Sequence, residues 1–507
     1  MSAPLPADPY ENGLRLSGQN RHGEAIEQFE RALAATPDDS RVLFALGNTA
    51  RALGLAKPAE EFYRRVLAQE PARLEALVSL ANLLRAQGQL PAAEALLAPA
   101  LARAPEAPEL WLTLGSTYRE MGDFARAAEH YRQALTRRPD YPPALVNLAD
   151  LLADDGDVDA ALALYGRAIA REPDNAQARL NRAILHLLKG NLKEGWRDYA
   201  ARLKVPGKAS VPEHKLSRWN GGSLKRTRLL ITAEQGVGDQ IMFASMIPDL
   251  AARARARWRV GPARMRAAAG RPVRAVLSRR DGAWLGYGGR AAASRGRAMA
   301  GLKQTGGANA FIEMGSVAKV LRGRMDDFPD DTAFLRPDPL TMAQFGGILA
   351  SVGPGPHIGV CWRSGNVAGH RALQYAPREA WAAFIAKLPG TVVSVQYDAG
   401  NDEIDALADM SGRPIVVLEG LDQKNEIDRT SALLASLDAV VSAPTAVSWL
   451  AAATGVDTYK ILYDTSWTAL GGLREPFAPA CELMMPASRG DWTGAFERTL
   501  ERITATL

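Results

Sequence analysis

The 507-residue sequence has two cysteines, Cys361 and Cys481. Two are too few for a disulfide framework or a cysteine zinc site, which agrees with a reducing compartment. Its six histidines are scattered without the spacing of metal ligands, which speaks against a metal centre. No apolar run approaches the ~20 residues of a membrane span. The first residues, MSAPLPADPYENG, lack the basic stretch and the apolar core of a signal peptide. These absences predict a soluble, cytoplasmic protein of about two to four domains with no membrane partner.

Evenly spread positive charge is also missing. The net charge is +5, but residues 251 to 300 hold 13 Arg and one acid, Asp281. The rest of the chain keeps 48 basic against 55 acidic residues and is therefore acidic. A nucleic-acid footprint over a folded face is not supported, so nucleic acid is not the expected partner.

What the sequence does have is a ruler. Pro37, Pro71, Pro105, Pro139 and Pro173 follow one another at intervals of 34 residues, the mark of a helical repeat array. In the clearest unit, PELWLTLGSTYREMGDFARAAEHYRQALTRRP, small residues (Gly115, Ala127, Ala134) stand where two helices cross closely. Trp111, Leu114, Tyr118 and Tyr131 fill the space between them, and Pro139 ends the second helix. Short helices of this kind are marginal alone, so stacking must supply their stability. The residues resemble the tetratricopeptide repeat. About six units fit residues 1–203, the last of them departing with Arg179 and Arg182 at core-like positions. The concave face of such an array suits a protein partner. Recurring Asn48, Asn82, Asn147 and Asn181 are candidates to grip a peptide backbone there, with simple solvation the competing reading.

Residues 204–227 are rich in Pro, Gly and charge and read as a linker. Beyond them, short apolar runs alternate with helical segments: RLLITA, HIGVCW, TVVSVQ, PIVVLE, DAVVSA and TYKILY. That alternation argues for parallel sheets covered on both faces. Ligands of such sheets sit at the carboxyl ends of strands, where loops enter helices and helix N-termini favour anions. EQGVGDQ, WRSGNVAGHRALQ, VQYDAGND and SAPTAVSW all fall at that edge.

In this order behind the repeats, EGWRDYAARL, WNGG, LLITAEQGVGDQIMFASMIP, IGVCWRSGN, VSVQ and LDAVVSAPTAVSWLAAATG resemble a bacterial family of repeat-linked glycosyltransferases. More distantly they resemble heptosyltransferases and the O-linked N-acetylglucosamine transferase. The resemblance implies an all-α solenoid followed by an α/β pair of Rossmann-like domains of GT-B type, at 228–350 and 351–507. It implies no cofactor, a nucleotide-sugar donor as substrate, and no metal. It makes Asp239 the catalytic base that takes the acceptor hydroxyl's proton. Capping of the helix that follows is the alternative role for that aspartate. The donor would lie against Gly236, Gly238, Arg363, Ser364, Asn366, Arg371, Gln396, Ser442, Thr445 and Ala446, with the two arginines as cations. The family has an aspartate and a histidine where this chain has Pro444 and Ser448, and His370 reads as a solvated or core residue. Flagellin-modifying enzymes resemble the chain, which implies flagellin as the acceptor held by the repeats. The rival expectation is a noncatalytic adaptor built on a decayed transferase.

Residues 251–302 fit none of this. In the 50 residues from 251 to 300, 37 are Ala, Arg, Gly or Pro, with neither a helix nor a strand period, although a parallel sheet needs further strands there. A basic, disordered arm is one reading. The preferred one is a GC-rich gene translated out of frame between about Ala252 and Leu302.

Overall fold

The computed structural model describes residues 8–207, 216–224, 227, 229–233, 236–253, 308–330, 333–365, 372 and 374–507, with the backbone of Arg274–Leu277. Most of the compositionally odd stretch, and with it the frame-shift reading, lies outside the described residues. The chain forms two compact units, Met1–Ala178 and Arg179–Leu507. The division falls inside the helix Ala176–Leu188, ahead of the boundary expected near residue 203.

The first unit is a stack of antiparallel helix pairs. Its helices are α1 (Pro9–Gly18), α2 (His22–Ala35), α3 (Ser40–Ala52), α4 (Ala56–Gln69) and α5 (Leu74–Ala86). They continue as α6 (Leu90–Arg103), α7 (Pro108–Glu120), α8 (Phe124–Arg137), α9 (Pro142–Asp154) and α10 (Val158–Arg171). Each first helix ends in a left-handed residue that turns the chain into the second helix. Asn20, Gly54, Gly88, Gly122 and Gly156 hold these positions with φ from 59° to 89°, the C-terminal cap that glycine and asparagine supply at least strain. They form a second 34-residue ruler in register with the prolines.

Between paired helices the packing is set by missing side chains. A Cβ on Gly47 would stand 2.7 Å from Tyr63 Cε1, and one on Gly115 would stand 2.8 Å from Tyr131 Cε1. Both rings are fully buried. Replacing Gly115 by valine should therefore overpack the α7–α8 contact and cost about 1–3 kcal/mol. The check is the urea midpoint of the helical signal; an unshifted midpoint would mean that the ring moves aside freely.

The second unit opens with α11 (Ala176–Leu188) and α12 (Leu192–Tyr199). The arginines that broke the repeat pattern are explained by α12. Asp198 is 1 % exposed, and Arg182 and Arg179 reach its two oxygens at 2.6 and 3.4 Å. A buried carboxylate persists only when cations and donors meet it, so the two arginines stand where a regular repeat has core residues. On the other face of α12, Trp196 donates its indole N–H to Arg322 O at 2.8 Å and packs edge-on to Trp467 and Phe477. The helix thus belongs to the core of the α/β unit.

Two sheets follow. In the first, β1 (Ser217–Arg218), β2 (Leu229–Thr232), β3 (Arg274–Leu277) and β4 (Ala310–Glu313) lie in the order β1-β4-β2-β3. β4 runs parallel to β1 and β2, whereas β3 is antiparallel to β2. β1 comes from the stretch read as linker, and Arg218 secures it by an ion pair of 2.6 Å to the buried Glu313.

The second sheet holds β5 (His357–Cys361), β6 (Thr391–Ser394), β7 (Ile415–Val416), β8 (Ala439–Ser442), β9 (Thr458–Ile461) and β10 (Cys481–Met484). All its pairings are parallel, in the order β10-β9-β8-β5-β6-β7. Chain order reverses between β5 and β8, the doubly wound arrangement of Rossmann-type sheets. Five strands coincide with apolar runs read from the sequence; β10 does not. Trp362, Trp381, Phe384, Phe496 and Ile503 fill one face of this sheet.

Candidate functional site

In a doubly wound sheet the ligand crevice lies outside the carboxyl ends of the strands flanking the reversal. Here those ends are Cys361 of β5 and Ser442 of β8, opposite each other in register. A buried network ties them together. Gln396, after β6, accepts at Oε1 from the backbone N–H groups of Trp362 and Arg363, each at 3.0 Å, and its Nε2 donates to Arg363 O at 2.9 Å. Burial pushes the Cys361 thiol up to about 11, so it stays protonated and donates to Gln396 Oε1 at 3.4 Å. Gln396 thus clamps the loop after β5 by its own backbone.

Arg363 lies in that loop with its guanidinium engaged. Its Nε donates to Glu403 Oε1 at 2.7 Å, a second nitrogen meets Oε2, and the same nitrogen reaches Asp398 O at 3.0 Å. The hydrogen bond from Arg363, joined by that from the Trp362 indole, holds the Glu403 carboxyl below its ordinary range. A carboxyl lowered in the folded state contributes stability above its unfolded pKa of about 4.3 and loses it as pH falls through the folded value. Glu403→Gln should accordingly destabilise the chain at pH 7, and its difference from wild type should shrink below about pH 4. Urea midpoints across that range read the effect; a pH-independent difference would separate Glu403 from it. Next in the loop, Ser364 Oγ lies 3.2 Å from Tyr397 OH, and Gly365 N donates to that hydroxyl at 2.8 Å. Asn366, His370 and Arg371 lie outside the described residues.

Across the reversal, Thr445 is the N-cap of the helix Ala446–Ala453. Its Oγ1 accepts from Val447 N at 3.2 Å and stands 3.2 Å from Ser442 Oγ. Ser442 and Ser448 are fully buried, and Ser448 Oγ donates to Thr445 O at 2.8 Å.

The N-terminal turn of α13 (Val237–Ala244) comes against this helix. A Cβ on Gly238 would stand 3.3 Å from Trp449 Cδ1 and 3.7 Å from Ala446 Cα, so glycine at 238 lets the two helices touch. Gly236 is the N-cap, exposed, with φ −65° and no side-chain cap bond. Asp239 is the third residue of α13 and half-buried, a position where a carboxylate is favoured by the helix dipole. The structure therefore gathers Gly238, Asp239, Ser442, Thr445 and Ala446 at one junction. Arg363, Ser364 and Gln396 form the neighbouring loop clamp.

The asparagines of the array have partners of their own. Tyr63 OH donates to Asn48 Oδ1 at 2.8 Å, Tyr131 OH reaches Ser116 Oγ at 3.3 Å, and Tyr165 OH donates to Asp150. In the repeat register these acceptors are one position. Its polar residue serves a buried phenol, which needs a hydrogen-bond partner. At Asn82, where Leu97 replaces the tyrosine, Arg85 donates at 2.8 Å instead. Asn147 donates to Ser116 Oγ at 3.2 Å, and Asn181 lies half-buried on α11. The tyrosines at the same interval were the missed signal.

A repeat array of this register joined to a parallel α/β unit defines the class of molecule, and similarity to known proteins agrees for the array. Residues 10–73, 78–142 and 146–209 match the tetratricopeptide repeat family, so the array is a tetratricopeptide-repeat solenoid. Protein FlbA of Caulobacter vibrioides (strain ATCC 19089 / CIP 103742 / CB 15) is 31% identical over 337 residues, covering 64% of this chain and 54% of its own length. The chain thus spans about half the length of that curated relative. Among solved structures, TTC0263, a thermophilic TPR protein in Thermus thermophilus, is 30% identical. It covers 36% of this chain and 98% of its own, with a TM-score of 0.32. PilW, a widely conserved type IV pilus biogenesis factor, is 19% identical over 39% of this chain and 94% of its own, with a TM-score of 0.35. Among the described residues no helix is long and apolar enough to cross a membrane.

Proposed function

We propose that the chain is a GT-B-type protein O-glycosyltransferase that uses a nucleotide sugar, with the repeats recruiting the acceptor. The observation that carries this reading is the meeting of two helix N-termini, those of α13 and Ala446–Ala453, with Asp239 in the first turn of one of them. Helix N-termini favour anions, and the nucleotide released when the sugar transfers is anionic. In that step Asp239 takes the proton of the acceptor hydroxyl. The hydroxyl oxygen bonds to the anomeric carbon, and the carbon's bond to the phosphate oxygen breaks, leaving its electrons with the nucleotide. Removing the proton lets the oxygen attack without developing positive charge.

The flagellar-linked name of the relative supports flagellin as the acceptor. The test is the intact mass of flagellin incubated with the purified chain and nucleotide sugars. Increments of one sugar per site are expected; a flagellin mass unchanged by the incubation would remove this acceptor.

A second reading, a noncatalytic adaptor, is favoured by a specific observation. Thr445 caps its own helix, and α13 lies against Ala446 and Trp449, so the junction is already occupied by protein. The adaptor predicts acceptor binding with no transfer from any donor.

A further inference from the structure

A cleft of ≈ 280 Å³ opens between the helices Arg378–Ile385 and Asn401–Ser411. Its chemistry is mixed. Trp362, Tyr375 and Trp381 supply aromatic wall, and the bidentate Arg363–Glu403 pair supplies a fixed polar edge. Glu403 is held there from two sides, since Trp362 Nε1 also donates to it at 2.7 Å. That pair leaves little net charge of its own.

Two groups on the cleft have no hydrogen-bond or ion-pair partner among the described residues, although Arg378 acts on the nearby Glu403 carboxylate through space. Arg378 lines the cleft, is exposed, and has no carboxylate within ion-pair distance among the described residues. It stands at the first position of its helix, where the free backbone N–H groups add to its attraction for an anion. Trp381, one turn on, is 1 % exposed, and its buried indole N–H has no acceptor among the described residues. An orphaned buried donor is costly, about 1–3 kcal/mol, and a ligand acceptor would relieve that cost. A guanidinium pairs with carboxylate or phosphate through a planar fork, and aromatic walls favour a flat ring.

We propose that this cleft binds a small ligand made of one aromatic or heteroaromatic ring and an anionic group. Arg378 holds the anion, and Trp362 and Tyr375 border the ring. The volume suits one ring with its anionic substituent rather than an extended chain. This site goes beyond the transferase reading and stands if that reading falls, because none of its free groups belongs to the helix junction.

The test is calorimetric titration of the full chain with uridine monophosphate, 4-hydroxybenzoate, uridine and inorganic phosphate. One of the first two should bind at a single site, with uridine and phosphate alone at least about tenfold weaker, since ring and charge act together. Tighter uridine monophosphate assigns a nucleotide; tighter 4-hydroxybenzoate assigns an aromatic acid. Arg378→Ala should weaken binding about tenfold or more. Trp381→Phe, which keeps the ring and removes the donor, should weaken it about threefold to tenfold. Asp239→Asn should leave it unchanged. Failure of both ring-bearing anions to bind, or equal binding by Arg378→Ala, overturns the proposal. So does loss of binding in Asp239→Asn with none in Arg378→Ala, which would move the ligand to the helix junction.

Discussion

Replacing Lys460 by methionine is expected to lower the stability of the α/β unit by about 3–5 kcal/mol. Lys460 lies on β9, 4 % exposed, with its ammonium 2.6 Å from Oε1 of Glu475, which is fully buried. Thr468 donates to the same oxygen at 2.8 Å, and the ammonium sits 3.9 Å from the centre of the Trp449 ring. The other carboxylate oxygen, Oε2, is buried without a partner among the described residues. The pair is therefore held by one short contact, the Thr468 hydroxyl and one cation–π interaction. Removing the lysine leaves the fully buried Glu475 carboxylate without its countercharge, with the Thr468 hydroxyl still donating to it, which is why a broken buried pair costs far more than the intact pair gains. Glu475→Gln should act in the same direction by less, because the amide can still accept from Lys460. The double replacement Lys460→Met with Glu475→Leu should recover most of the loss, since matched apolar groups need no solvent. Urea midpoints read by tryptophan fluorescence give the cycle. If Lys460→Met unfolds no earlier than wild type, the pair carries no stability. A functional echo is expected as well: Trp449 is the residue that Gly238 abuts, so loosening its far face loosens the seat of α13.

The same contact shows which parts of the molecule were legible in the sequence. Where structure is local, residue spacing was sufficient. Pro37 to Pro173 fix the repeat length, and Gly115 and Tyr131 fall in one unit, so their contact is written within a single period. The strands β5, β6, β8 and β9 are short, apolar and bounded by loops, and period alone marks them. The order of those strands is not written locally. It follows from crossovers over helices and from which edges find partners, so the reversal between β5 and β8 became visible only in three dimensions. Gly238 illustrates the limit. Beside Gly236 it reads as a place where the donor approaches the backbone, and the structure adds a neighbour the spacing does not show, an indole from the other half of the unit. Asn48 and Asn82 illustrate another. Recurrence marked them as important, but the phenol that explains Asn48 lies on the next helix, and only pairing the two rulers would have linked them. Arg363 reads as a cation for the donor, and its partner Glu403 is not visible beside it because it sits beyond a different strand. In each case the chemistry of the residue was apparent while its partner was not.

Asp239→Asn is the substitution that separates the two functional readings, and it is expected to slow sugar transfer about 100- to 10,000-fold. Asparagine keeps the size and the acceptor oxygen of aspartate but cannot take up a proton at neutral pH, so a base is lost with little change in shape. The fold should tolerate it. Asp239 is half-buried in the first turn of α13, and loss of a carboxylate near a helix N-terminus costs only about 0.3–1 kcal/mol. Gly238, the residue before it, is pinned against Ala446 and Trp449, so the position of residue 239 is set by backbone packing that the substitution leaves alone. Acceptor capture by the repeats should be unaltered, because none of the residues that build the array is changed. The measurement is the initial rate of transfer under donor excess, alongside acceptor binding and the helical signal of the variant. A slowed rate with intact binding assigns Asp239 the proton. An unchanged rate would return it to the role of a first-turn carboxylate stabilising α13. A wild-type chain that binds its acceptor yet transfers nothing would leave the adaptor reading standing, with the helix junction closed by its own Thr445 cap and the α13 contact.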